Sequence, residues 1–213
     1  MQEFEVEEKK FEYLKGTTTV GLVCRDGVVL GTDSRASAGY EIASKTAKKL
    51  YQITDHIGVT VAGSVGDTQA LVRNMRAEAR YYERREDTPI SVSGAAKLSA
   101  NLFKSAGFFP YLAVFIMAGY DRSGPGMYLL NMDGSLIEEK MVATGSGSPM
   151  AYGLLEDRYE EDLVVDEAVE TAVDALSSAI ERDIATGNEI RVATLTEEGF
   201  ERVSEEEIQK ITG

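Results

Sequence analysis

Residues Gly16-Thr17-Thr18-Thr19-Val20-Gly21 form the string with the clearest chemical potential, because a cut before Thr17 would leave a threonine at a chain terminus. Such a residue carries both a hydroxyl nucleophile and an α-amine. The amine, with an ordinary pKa of about 7.7 to 8.0, can accept the hydroxyl's proton near neutral pH. No histidine is then required. The chain holds one histidine, His56, and one cysteine, Cys24, so His-dependent triads and Cys/His metal cages have almost nothing to draw on. Taken alone, the same threonines also describe the start of an ordinary strand, since β-branched residues favour the pleat.

The elements that must position Thr17 can be read from periodicity and turn chemistry. Residues 1 to 16 carry five glutamates and three lysines without a clean period and read as an extension before a single domain, residues 17 to 213. Thr17 to Cys24 and Val28 to Thr32 form a predicted hairpin across Arg25-Asp26-Gly27, with Asp-Gly supplying positive φ angles. Leu50 to Ile53 and Ile57 to Ala62 form a second, with His56 as an exposed turn residue. Asp67 is the expected N-cap of a helix with Leu71, Met75, Ala79 and Tyr82 on one face. Thr88-Pro89 opens a second helix reaching Gly107.

Strands return at Ala113 to Gly119, Met127 to Met132 and Leu136 to Val142. Two further helices follow, Pro149 to about Tyr159 and Asp166 to about Thr186, the latter ending at Gly187 in a left-handed cap. A last strand pair, Ile190 to Thr196 and Phe200 to Val203, precedes a short helix opened by Ser204 and Glu207 as a capping box. Helices that come in consecutive pairs between antiparallel hairpins argue against a doubly wound parallel sheet. They suggest an α+β protein in layers: helices, sheet, sheet, helices.

Composition narrows the function classes. A chain of 213 residues can bury roughly 70% of its unfolded surface in one core, so stability does not call for disulfides or metal. Lys plus Arg number 22 against 36 Asp plus Glu, a net charge of −14, which repels phosphate backbones; nucleic acid is not an expected partner. The longest apolar stretch, Tyr111 to Tyr120, is about ten residues against the ~20 a membrane helix needs. With no signal-type start at Met1-Gln2-Glu3-Phe4-Glu5, the expectation is a cytoplasmic protein without a membrane segment.

Five strings occur in order: the one at Gly16, Gly31-Thr32-Asp33-Ser34-Arg35, Lys48-Lys49-Leu50, Ala62-Gly63-Ser64-Val65-Gly66-Asp67 and Gly145-Ser146-Gly147-Ser148-Pro149. With this set the chain resembles archaeal-type proteasome β subunits from Thr17 nearly to its C-terminus, and Met1 to Gly16 resembles their short prosegment. The resemblance implies the N-terminal nucleophile hydrolase fold, a four-layer αββα sandwich, and autolysis between Gly16 and Thr17. Gly16, lacking a Cβ, would let the chain bend so that the Thr17 hydroxyl reaches the preceding carbonyl.

Carried over position by position, the resemblance implies that Thr17 is the nucleophile, Lys49 the catalytic lysine and Asp33 its acidic partner. On spacing alone Asp33 and Lys49 could equally be a surface ion pair of little energetic weight. Gly63 matches the oxyanion-hole glycine, whose other reading is a turn after a strand. Ser146 and Asp183 match residues around the threonine amine, and Thr186 stands where an archaeal relative has serine. Ala36, Ala47, Tyr51, Val61, Val65 and Gln69 match the pocket for the side chain before the cut bond; its small, apolar walls suggest a hydrophobic preference.

The implied activity is threonine-type hydrolysis of unfolded polypeptide, with neither cofactor nor metal. The implied partners are other β subunits in a heptameric ring, proteasome α subunits and an ATP-dependent unfoldase. A non-catalytic ring scaffold and a small-molecule amidase of the same fold are the competing readings. Intact Thr17, Asp33 and Lys49 speak against the first, and the match over nearly the whole chain speaks against the second.

Overall fold

A computed structural model describes residues 16–107 and 110–213. Residues 1–15, nearly all of the expected prosegment, lie outside the described residues. The chain folds as an α+β sandwich whose two five-stranded antiparallel sheets face one another.

The first sheet is built on β1 (Thr18–Val23) and β2 (Val28–Asp33). Every residue of both strands is buried, because each face of this sheet is covered. Val20, Leu22 and Val29 pack under helices α3 (Ser148–Arg158) and α4 (Val165–Arg182), while Val28 and Leu30 join the layer between the sheets. Burial on both faces explains why the strands read as nearly continuous apolar runs rather than alternating ones. The sheet is completed by β10 (Met141–Gly145), β11 (Ile190–Thr196) and β12 (Gly199–Arg202), in the order β10-β1-β2-β11-β12.

The second sheet runs β5-β6-β7-β8-β9: Leu50–Gln52, Ile57–Gly63, Ala113–Asp121, Gly124–Leu130 and Leu136–Glu138. Helices α1 (Val65–Glu86) and α2 (Val92–Lys104) cover its outer face through a core that includes Leu71, Met75, Phe103 and Phe115. Ile116, Met127 and Leu50 fill the space between the sheets against Leu30 and Val142. The helices therefore lie outside and the sheets inside, the αββα layering expected from the resemblance. A short helix, α5 (Glu205–Thr212), closes the chain and packs on α4, with Ser204 as its N-cap.

Several local expectations are corrected. The run Leu136 to Val142 is not one strand: β9 belongs to the second sheet and β10 to the first, so the chain changes layer at Glu139-Lys140. The hairpin β3–β4 (Ala36–Ala38, Glu41–Ser44) was not expected at all. Neither Asp26 nor Gly27 takes a positive φ; the Asp26 carboxylate instead accepts the Val165 N–H at 3.0 Å, where α4 begins.

Helix ends also move, each for a reason in the surroundings. Ser64, not Asp67, caps α1, while the Asp67 carboxylate accepts the Leu112 N–H at 3.0 Å. Helix α2 starts after Ser91, whose hydroxyl accepts the Gly94 N–H at 3.1 Å, not at Pro89. Helix α4 stops at Arg182 with Asp183 extended; the left-handed residue nearby is Asn188, φ 71°, and not Gly187.

Candidate active site

Thr17 sits immediately before β1, and Asp33 ends β2 beside it in the same sheet. Asp33 is fully buried, a costly place for a carboxylate unless every lone pair is used. Four donors reach it. Lys49 Nζ lies at 2.7 Å, the Thr18 and Arg35 amides at 3.0 Å each, and the Gly187 amide at 2.9 Å. Lys49 stands just before β5, so its ion pair with Asp33 bridges the two sheets.

Lys49 is 5% exposed. Burial pushes its pKa below the ordinary lysine value; Asp33 pulls it back up, and the nearby Arg35 charge lowers it further. Besides Asp33, the ammonium donates to the Gly16 carbonyl oxygen at 3.2 Å. The Thr17 hydroxyl donates to that same oxygen at 2.5 Å. Its neighbour Lys48 is exposed, with its ammonium 5.1 Å from the centre of the Tyr51 ring. Adjacent residues on extended chain point to opposite faces, so only one lysine reaches Thr17.

A second set of side chains lies on the nitrogen side of Thr17. Ser146, in the loop between β10 and α3, places its hydroxyl oxygen 3.4 Å from both the Thr17 nitrogen and the Thr17 carbonyl oxygen. The Ser146 hydroxyl donates to Asp183 Oδ2, and the Thr186 hydroxyl donates to the same oxygen at 2.5 Å. Asp183 and Thr186 come from the turn after α4. All six residues matched in catalytic positions, together with Gly16, thus gather around one junction in the chain.

Thr17 opens onto a cavity of about 390 Å³ whose walls include Gly63 and all six matched pocket residues. Ser37 and Lys48 also reach it; Ser37 did not stand out in the sequence, and Lys48 did so only as the neighbour of Lys49. Gly63, the last residue of β6, has φ 143°, and a Cβ there would collide with the Leu112 carbonyl oxygen. Both facts restrict this position to glycine. Larger openings lie elsewhere. One of about 670 Å³ runs between the β5–β6 turn and α1 and includes His56. That histidine is half-buried rather than exposed, because its Nε2 pairs with the Ile90 carbonyl at 2.8 Å. Its bond ties the turn to the α1–α2 connection and places it away from Thr17.

A hydroxyl beside a carbonyl, a buried cation on that carbonyl and a cleft alongside are the parts of an acyl-transfer site. Among the described residues no group of three or more His, Cys, Asp or Glu is placed to hold a metal. Among the described residues no helix is long and apolar enough to cross a membrane.

A profile of the family described as "Proteasome subunit" matches residues 13–195. The chain belongs to the proteasome subunit family. Among its relatives in this family are β subunits of archaea. "Proteasome subunit beta" of Methanothermobacter thermautotrophicus is 52% identical over 198 residues, covering 92% of this chain and 94% of the relative. That of Methanohalophilus mahii is 50% identical, covering 94% and 96%; that of Methanocaldococcus vulcanius is also 50% identical, covering 94% and 91%. Membership in the proteasome family and the sandwich fold were both legible in the five strings.

The sequence missed Thr18, Arg35 and Gly187 as parts of this proteasome-family site. All three offer backbone amides to Asp33, and a backbone donor leaves no mark on residue type. Arg35 is further held by Asn188 Oδ1 at 3.1 Å and the Ile184 carbonyl at 2.8 Å.

Proposed function

We propose that this chain is a catalytic β subunit of a proteasome core particle, and that Thr17 becomes its N-terminal nucleophile when the chain cuts itself after Gly16. The observation that carries this reading is the shared Gly16 carbonyl oxygen, met by the Thr17 hydroxyl at 2.5 Å and the Lys49 ammonium at 3.2 Å. The cation draws electrons from the carbonyl, raising its susceptibility to the adjacent hydroxyl. Thr17 Oγ1 bonds to the Gly16 carbonyl carbon, the carbon–nitrogen bond breaks, and the hydroxyl's proton ends on the departing nitrogen. Water then hydrolyses the ester, leaving a carboxylate on Gly16 and a free α-amine on Thr17.

In the mature subunit the same hydroxyl attacks a substrate carbonyl while the α-amine takes its proton and passes it to the leaving amine. Lys49, held by Asp33, disfavours protonation of that amine through like charge. Ser146 and Asp183 orient the amine, Thr186 supports Asp183, and the Gly63 N–H receives the oxyanion, a donor worth about 10² to 10³ in rate. The cavity takes a hydrophobic side chain of unfolded polypeptide. The subunit works in a heptameric β ring with α subunits outside it and an ATP-dependent unfoldase feeding the chamber, in the cytoplasm.

The test is the mass and activity of particles assembled with the α partner. The parent chain should lose residues 1 to 16 and cut peptides ending in Leu or Tyr faster than those ending in Arg or Asp. Thr17→Ala should keep the leader and show no peptidase activity. Particles that digest peptides with the leader still attached would overturn the reading.

A further inference from the structure

Thr18 is as buried as any residue in β1 and is tied at both its backbone and its side chain. Its N–H donates to Asp33 Oδ1 at 3.0 Å, and its hydroxyl lies 2.7 Å from that of Thr186. The direction of that second bond follows from the groups beyond it. A carboxylate oxygen can only accept, so Thr186 and Ser146 both donate to Asp183 Oδ2. Thr186 has then spent its only proton, and Thr18 must be the donor across the 2.7 Å. Ser146 has likewise spent its proton, which leaves its oxygen free to accept from the Thr17 nitrogen 3.4 Å away.

The space around this hydroxyl is matched to it. A Cβ on Gly147 would collide with Thr18 Oγ1 and come within 3.1 Å of Thr186 Oγ1. The second glycine of the Gly145-Ser146-Gly147-Ser148-Pro149 string is therefore required by what stands opposite it. Thr18 does not itself reach the Gly16 carbonyl: it meets Asp33, which pairs with the Lys49 that does, and Thr186, which shares Asp183 with the Ser146 beside the Thr17 nitrogen.

Resting on the reading of Thr17 as nucleophile, we propose that Thr18 is a positioning residue for the reaction. Its hydroxyl fixes Thr186 and Asp183, and through them turns the Ser146 oxygen toward the Thr17 nitrogen. Its amide holds Asp33 for Lys49. The residue links the two halves of the site, and chains of hydrogen bonds of this kind strengthen one another in a low-dielectric interior. Thr18→Val keeps the shape and removes the proton; Thr18→Ser keeps the proton.

The experiment compares assembled, leader-free particles on a fluorogenic peptide. Thr18→Val should lower kcat roughly tenfold, the scale of one buried hydrogen bond, with little change in KM, and Thr18→Ser should restore most of it. In a Thr186→Val background the Thr18→Val change should add almost nothing, since the receiving oxygen is already gone. Unchanged kcat in Thr18→Val, failure of serine to rescue, or full additivity with Thr186→Val would each overturn the proposal. If the valine variant does not assemble, Thr18→Ala and Thr18→Ser are compared, and equal activity in those two overturns it. Activity surviving in Thr17→Ala would instead sink the reading of the nucleophile, a separate outcome.

Discussion

Thr18 and Thr60 both carry fully buried hydroxyls, yet their energetics run in opposite directions. The first donates to Thr186 at 2.7 Å. Thr60, in β6 between Leu50 and Ile116, has no hydrogen-bond partner for Oγ1 among the described residues. A buried hydroxyl without a partner forfeits its bonds to water and gains nothing in return. Thr60→Val, of the same shape, should therefore stabilise the protein by about 1 kcal/mol, raising Tm by roughly 2–4 °C for a domain of this size. Thermal denaturation checks it, and a lowered Tm would show the hydroxyl to be paired. Nothing in the sequence separates these two threonines, because each looks like a β-branched strand residue. Only the fold, which brings Thr186 from 168 positions away, distinguishes them. That Thr17, Asp33 and Lys49 come together was legible for another reason: the strings around them carry a family's pattern, where spacing alone left a surface ion pair open.

Where β1 ends against α3, two ionisable groups are held neutral by their surroundings. Cys24 and Tyr159 are each pushed up to about 12, by burial above all, with Asp26 adding to the effect on Cys24. The Tyr159 hydroxyl donates to the Val23 carbonyl at 2.9 Å, so the C-cap residue of α3 is fastened to the end of β1. A thiol of ordinary pKa 9.0 that titrates near 12 when folded loses its proton first in the unfolded chain. Its contribution to stability is thus complete below pH 9 and is lost as pH rises toward 12. Lys49 runs the other way, since its lowered pKa favours the folded state as pH climbs to 10.5. Comparing Cys24→Ala with the parent largely cancels Lys49 and Tyr159. The destabilisation caused by Cys24→Ala, measured by urea unfolding, should shrink between pH 8 and pH 10.5; a gap independent of pH would refute the assignment. At this scale the hairpins and helix pairs were readable because turn residues and apolar periods are local. The switch of layer between β9 and β10 was not, because Leu136 to Val142 is continuously strand-like and only the partners on either side, β8 and β1, divide it. The same holds for the ends of α1 and α2, where Asp67 and Thr88 look like caps but Ser64 and Ser91 fill that role.

For the molecule as a whole, the two sheets matter because the site belongs to neither alone. Thr17 and Asp33 are carried by β1 and β2, whereas Lys49 and Gly63 stand at the ends of β5 and β6 in the opposite sheet. The side chains between the sheets therefore set the separation of the Thr17 hydroxyl and the Lys49 ammonium. Ile116 is fully buried in that layer beside Leu30, Leu50 and Met127. Phe103 is equally enclosed, but between α2 and the outer face of the second sheet, against Tyr111 and Phe115. Truncating either should cost about 2–5 kcal/mol through lost contacts and a cavity. Their effects on catalysis should differ. Ile116→Ala lets the sheets settle toward one another, and a displacement of ~1 Å between reacting groups can cost about a hundredfold in rate. Phe103→Ala leaves the space between the sheets filled. Measured on assembled, processed particles well below both melting points, Ile116→Ala should lower kcat by more than tenfold on that scale, while Phe103→Ala stays within a few-fold of the parent. Equal losses in the two variants would mean that global stability, and not the spacing of the sheets, controls the geometry around Thr17.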